Sequence, residues 1–197
     1  MPKVLGGSLA AHRDEVRSRV FAALRELLYG RGFDAVTLAG VATAAGVGRS
    51  SIYNHFPDRQ ALLIAFVEHE AGRYVADLEA ALAAAPTPTE QLAAFVRLQV
   101  QRLTEFHLPP GQALAAALDP SAYRRIAAHA DPIGERLSGI VRAGIEAAEM
   151  AVPGDPEVVV AMIGSALSAG HLVEGRSDAA DTAVEVVLRM VGAGKQG

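Results

Sequence analysis

The 197-residue chain has no cysteine, and this excludes disulfide frameworks and thiolate metal sites. Aromatic residues make up only 5%. Alternation of the kind a strand needs never persists beyond a few residues, whereas alanine is abundant and favours helix. Long apolar runs are also missing. The longest, from Val158 to Gly170, is interrupted by Gly164, Ser165 and Ser168 and falls short of the roughly 20 residues that cross a bilayer. The first residues, Met1 to Ser8, lack the continuous apolar segment of a secretory signal. No membrane partner is expected, and the expected location is the cytoplasm. Catalytic signatures are equally scarce: there is no Gly-x-Ser-x-Gly, no phosphate-binding loop and no His-Glu-x-x-His. The six histidines, His12, His55, His69, His107, His129 and His171, are scattered without ligand spacing. No metal, no cofactor and no enzymatic activity are therefore expected.

What is present is helix. Apolar residues reach 51%, enough for a sizeable core. The net charge of −4 argues against nucleic acid, but it is unevenly spread. Residues 1–60 hold eight Lys/Arg against five acids, and the remainder ten against seventeen, so a basic front precedes an acidic back.

The most informative stretch runs from Thr37 to Leu63. Leu38, Val41, Ala42 and Ala45 form one apolar helical face, with Thr37 as its N-cap. Gly46 ends that helix, because glycine enters a left-handed turn without steric cost. Val47 plugs the angle, and a second helix runs from Arg49 to Phe56 with Ile52 and Phe56 inward. Its other side holds Arg49, Ser50, Ser51, Tyr53, Asn54 and His55, which are side chains suited to phosphates and base edges in a major groove.

These residues resemble the DNA-binding domain of the TetR family of transcriptional repressors. The likeness rests on Thr37-Leu38, Val41-Ala42, Ala45-Gly46-Val47, Ile52-Tyr53, Phe56 and Asp58-Arg59-Gln60-Ala61-Leu62-Leu63, and covers about residues 10 to 65. Gly48 departs from it, standing where the family usually has serine or a similar cap. The resemblance implies a homodimer on a near-palindromic double-stranded DNA operator, released by a small-molecule effector. Arg49, Ser50, Ser51 and Asn54 are expected to read bases, while Thr37, Tyr53, His55 and Arg59 bind phosphates.

The expected architecture is all-α, with a three-helix helix-turn-helix head and a larger ligand-binding and dimerisation body. Residues 1–12 are assigned to a flexible arm, 13–57 to the head, 58–191 to the body and 192–197 to a disordered tail. The first helix spans Arg13 to Tyr29, with Val16, Val20, Leu24, Leu27 and Leu28 as its buried stripe and Phe21 beside it; Arg13, Arg17 and Arg19 either face phosphates or are simply solvated. A long helix from Asp58 to about Ala84 links head to body. Thr87, Pro88 and Glu90 form a capping box for a helix reaching Phe106, and a short helix follows from Gln112 to Leu118. Asp119-Pro120, Asp131-Pro132 and Asp155-Pro156 start three more, approximately Ser121–His129, Pro132–Met150 and Pro156–Glu174; the last helix runs from Asp178 to Val191.

The resemblance also implies a mostly apolar cavity in the body, for which Phe66, Tyr74, Phe95, Phe106, His107, Tyr123, Met162 and His171 are candidates. A helix apolar on nearly all sides must be covered on all sides. For the last two helices that cover is either the body or a second subunit; the resemblance implies the latter, a four-helix dimer interface through Val159, Ile163, Gly164, Leu167, Val184, Val187, Leu188 and Val191. The rival readings are an all-α small-molecule enzyme that keeps a helix-turn-helix as scaffold, and a helical protein–protein adaptor.

Overall fold

The computed structural model describes residues 6–31, 36–105, 119–128, 131–168 and 177–193. Among them every regular element is a helix. In chain order these are α1 (Gly6–Arg31), α2 (Leu38–Ala45), α3 (Arg49–His55), α4 (Arg59–Ala83), α5 (Pro88–Glu105), α6 (Pro120–Ala127), α7 (Asp131–Glu146), α8 (Pro156–Ser168) and α9 (Ala179–Met190).

The starts follow from the caps. Thr37 Oγ1 accepts from the Gly40 amide at 3.1 Å, and Asp58 Oδ1 accepts from the Ala61 amide at 2.7 Å. At α5 the capping box closes in both directions: the Glu90 amide donates to Thr87 Oγ1 and the Thr87 amide to Glu90 Oε2, each at 3.2 Å. Asp119 and Asp155 take the amides two residues on, at 2.8 and 2.9 Å.

Two ends differ from expectation. α1 begins at Gly6, not Arg13, so most of the anticipated arm is helical. The intervening Ser8-Leu9-Ala10-Ala11-His12 holds no proline, and Leu and Ala are strong helix formers. Its far end passes Gly30, whose cost of about 1 kcal/mol in a helix interior does not stop it. α7 ends at Glu146 rather than Met150. The chain there turns back, with the Glu149 and Met150 amides both donating to the Gly144 carbonyl and Glu149 Oε2 accepting from the Thr89 amide at 3.0 Å. Gly144 makes this possible, since a Cβ at that position would lie 2.4 Å from Met150 Sδ. The proposed Gln112–Leu118 helix, the arm's first residues and the tail from Gly194 lie outside the described residues, as does the stretch to Glu174.

The helices form two compact units. The first gathers the described residues of 1–69 and 107–126. Its core is Val16, Val20, Phe21, Leu24 and Leu28 of α1 against Val41, Ile52, Phe56, Leu62, Leu63 and Phe66. α6 is tied to the first half of α4 by Gln60 to Asp119 and by Arg125 to Glu68. The second unit holds residues 70–106 and 127–197 where described. In it α5 packs against α7, α8 and α9 around Leu92, Phe95, Val96, Val100, Leu137, Val141 and Ile163. Arg102 pairs with Asp77, and Arg136 with Glu79. The compact units therefore divide the chain later than the expected boundary at residue 58: α4 gives its residues up to His69 to the first and those from Glu70 on to the second.

Candidate nucleic-acid interface

The helix-turn-helix is built from short-range decisions. α2 buries Leu38, Val41, Ala42 and Ala45. Gly46 follows at φ 63° and ψ 34°, a left-handed conformation that admits glycine at no steric cost. The Val47 amide returns to the Ala42 carbonyl at 3.0 Å, completing the C-cap. Gly48 then caps α3 in extended geometry, without a side-chain acceptor. Ile52 is fully buried and Phe56 nearly so, which fixes how α3 is rotated. Phe56 lies 5.9 Å from Phe21, and Phe21 in turn meets Phe66 edge-on at 5.8 Å and His69 at 4.9 Å. This aromatic cluster seats the end of α3 and the first part of α4 on α1.

With Ile52 and Phe56 inward, the opposite face of α3 is presented to solvent. Arg49, Ser50, Tyr53 and Asn54 are exposed, Tyr53 by 51%, while Ser51 and His55 are half-buried. Thr37 is exposed at the start of α2. Arg59, half-buried, lines a hollow of about 410 Å³ with Asp58, Gln60 and Leu63. The eight residues anticipated for DNA thus all belong to the first unit, around α2, α3 and the start of α4. Burial is the main reason the His55 imidazole holds its proton less readily than usual, with Arg13, Arg17 and His12 adding repulsion. The two arginines and His12 were not placed beside His55 by the sequence reading, because the approach depends on how α1 crosses the domain.

The cavity candidates do not form one group. Phe66 packs on Phe21 in the first unit, where it is core rather than lining of a body cavity. Tyr74 and Phe95 share the core of the second unit. The Tyr74 hydroxyl donates to Gln99 Oε1 at 2.6 Å, and burial pushes its pKa up to about 12 against a smaller opposing pull from Arg102. Met162 is 57% exposed and lines no interior, and Tyr123 is half-buried. Phe106, His107 and His171 lie outside the described residues. Gln99 was missed because a glutamine in an amphipathic helix reads as surface.

The residues expected at a dimer interface lie mostly inside the chain itself. Val159, Ile163, Leu167, Val184, Val187 and Val191 are buried in the core of the second unit. Gly164 and Leu188 are half-buried. The large apolar residues left exposed on α8 and α9 are Val158, Met162 and Val186, each at least half exposed. Helices with apolar residues in nearly every direction do not reveal which side the rest of their own chain covers.

Among the described residues no helix is long and apolar enough to cross a membrane, and no group of three or more His, Asp or Glu could hold a metal ion.

A three-helix head whose α3 turns Arg49, Ser50, Tyr53 and Asn54 to solvent has the form of a helix-turn-helix domain. Residues 20–66 match the family model described as bacterial regulatory proteins, tetR family. The chain is 42% identical over 72 residues to the HTH-type transcriptional regulator AlkX of Mycobacterium tuberculosis, covering 36% of this chain and 34% of that protein. It is 35% identical over 82 residues to the regulator BetI of Rhizobium meliloti, covering 42% and 40%. It therefore spans well under half the length of these curated relatives. The fold reaches further: a tetR-family regulatory protein from Rhodococcus RHA1 superposes with a TM-score of 0.69 at 23% identity, over 90% of this chain and 97% of that one. The fatty acid degradation regulator FadR from Bacillus halodurans does so with 0.73 at 19%, over 92% and 96%. Residues 20–66 are thus similar to the tetR-family domain, and the chain as a whole shares the fold of these solved structures.

Proposed function

We propose that this chain is a homodimeric transcriptional repressor whose heads read a near-palindromic operator and which an apolar small molecule releases. The observation that carries the reading is the rotation of α3. With Ile52 and Phe56 in the core, Arg49, Ser50, Tyr53 and Asn54 are all aimed away from it. Arg49, the first residue of α3, is suited to guanine, whose two acceptors match a guanidinium fork. Ser50, Ser51 and Asn54 supplement it. Thr37, Tyr53, His55 and Arg59 are assigned to phosphates, which set register. The dimer is assigned to the exposed side of α8 and α9, through Val158, Met162 and Val186. Ligand release works through α4, a continuous helix of 25 residues with one part in each unit. A ligand lowers DNA affinity only as far as it prefers the non-binding state.

Fluorescence anisotropy of the purified protein on the DNA upstream of its own gene, with scrambled DNA beside it, tests the reading. Binding that beats the scrambled duplex by about a thousandfold supports it. Equal binding to both, followed by no enriched fragment in a genome-wide selection, refutes it. Met162→Glu is expected to yield monomers in sedimentation; an unchanged dimer would move the interface elsewhere.

A further inference from the structure

The head core ends partway along α1, and the helix does not. Successive residues of an α-helix advance by about 100°. Setting Arg13 at zero, the buried Val16, Val20, Phe21, Leu24 and Leu28 stand at about 300°, 340°, 80°, 20° and 60°, and Arg17 at about 40°. Arg13 and Arg17 therefore lie on the inner stripe of α1, in line with the core residues, yet both are exposed. On the inner face Arg17 stands among the buried residues and Arg13 just before the first of them, Val16. The acids of the same segment lie elsewhere, Asp14 at about 100° on the flank and Glu15 at about 200° on the outer side, and Arg19 is outward at about 240°.

What this cationic stripe faces is the end of the recognition helix. The Arg17 guanidinium lies over the Phe21 ring, 5.4 Å from its centre, and Phe21 meets Phe56, the neighbour of His55. Arg13, Arg17 and His12 all repel the proton of His55, so the four groups share one field. Two arginines at i and i+4 cost a helix a few tenths of a kcal/mol through repulsion, and an anion between them would reverse the sign.

We propose that Arg13 and Arg17 form a second phosphate seat beside the end of α3, extending the DNA interface onto the first half of α1. This rests on the DNA-binding reading above. The occupant is a backbone phosphate of duplex DNA, recognised by charge and not by base. The ring beneath Arg17 limits where its guanidinium can go, so little side-chain freedom is lost on binding.

The test is the salt dependence of the full-length protein on a labelled random-sequence duplex and on its own upstream DNA. Each phosphate neutralised contributes about 0.9 to the slope of log K against log salt. Arg13→Gln is expected to lower the slope magnitude by about one on both DNAs, and Arg13→Gln with Arg17→Gln by about two, leaving the ratio between the two DNAs unchanged. Arg13→Lys with Arg17→Lys should restore it, and Arg19→Gln, on the outer side, should leave it at the wild-type value. Arg13→Gln keeps the Arg17–Phe21 stack, so it remains informative even if the double variant folds poorly. Wild-type binding with equal slopes for Arg13→Gln and Arg19→Gln overturns the seat while leaving the regulator intact. Failure of the wild type to bind either duplex at low salt overturns both.

Discussion

Gly48 is the position where one substitution should strengthen the head and a closely related one should disable it. It caps α3 at φ −65° and ψ 147°, with no side-chain hydrogen bond to the helix. A Cβ placed there meets no atom within 4 Å. The start of α2 shows what is missing: Thr37, also extended at φ −126° and ψ 149°, accepts from the amide three residues on. Gly48→Ser can repeat that bond with the Ser51 amide. Replacing a glycine cap by serine is worth a few tenths of a kcal/mol. Removing a glycine whose backbone is already compatible with an L residue adds about 0.4–1 kcal/mol, by restricting the unfolded chain. The sum is a gain of roughly 0.5–1.5 kcal/mol, and each 1 kcal/mol raises the midpoint by about 4–8 °C in a unit of this size. Thermal and urea unfolding followed by circular dichroism would measure it. Gly48→Ala, with no acceptor, should gain less than serine. Gly48→Asp should stabilise about as well as serine, because a carboxylate suits a helix N-terminus. On the proposed reading it should nevertheless weaken DNA binding, because a carboxylate at the start of α3 would sit beside Arg49 and close to the anionic duplex. A serine variant no more stable than the alanine variant would show that the cap is not short of an acceptor. An aspartate variant that binds DNA undiminished would place the start of α3 away from the backbone.

Three further outcomes are expected. Gly46→Ala should lose about 1–2 kcal/mol in urea unfolding with no steric clash, because φ is 63° and the surrounding space is open; Gly46→Asn should lose less, and equal losses would contradict a purely conformational cost. Tyr74→Phe should destabilise the second unit by about 1–3 kcal/mol by leaving the Gln99 acceptor unmatched, and an ultraviolet phenolate titration should lose its component near pH 12. His55 has a folded pKa below the ordinary histidine value of about 6.5, so the unfolded chain binds more protons as pH falls through that value. Stability therefore declines with acidification below about pH 6.5 and is fully present above it. His55→Gln should flatten that decline in acid titrations of unfolding, and an unchanged slope would assign the proton uptake to another group.

Local chemistry determined much of this protein without help from the rest of the chain. A threonine or aspartate followed by a free amide starts a helix wherever it stands, and so Thr37, Asp58, Thr87, Asp119 and Asp155 marked the starts of five helices. A left-handed residue before a short second helix calls for glycine, so Gly46 announced the turn. Helical periodicity then put Ile52 and Phe56 on one side of α3 and Arg49, Tyr53 and Asn54 on the other, and the candidate DNA face could be read in order.

Only the tertiary structure decided what depends on a neighbour. Periodicity ranks the faces of a helix by polarity, and α8 and α9 have too little polarity to rank; packing on α5 claimed Val159, Ile163 and Val187 and left Val158, Met162 and Val186 outside. Phe66 is aromatic and buried either way, but α1 supplied Phe21 to receive it, which placed it in the head. Met150 ended up folded back on Gly144, a contact between a side chain and a missing one that no local propensity encodes. Arg13 and Arg17 carry the same charge as any solvated arginine on a first helix. What the proposal gives them comes from position: they stand on the inner stripe of α1, stay exposed, and act on His55 at the end of α3.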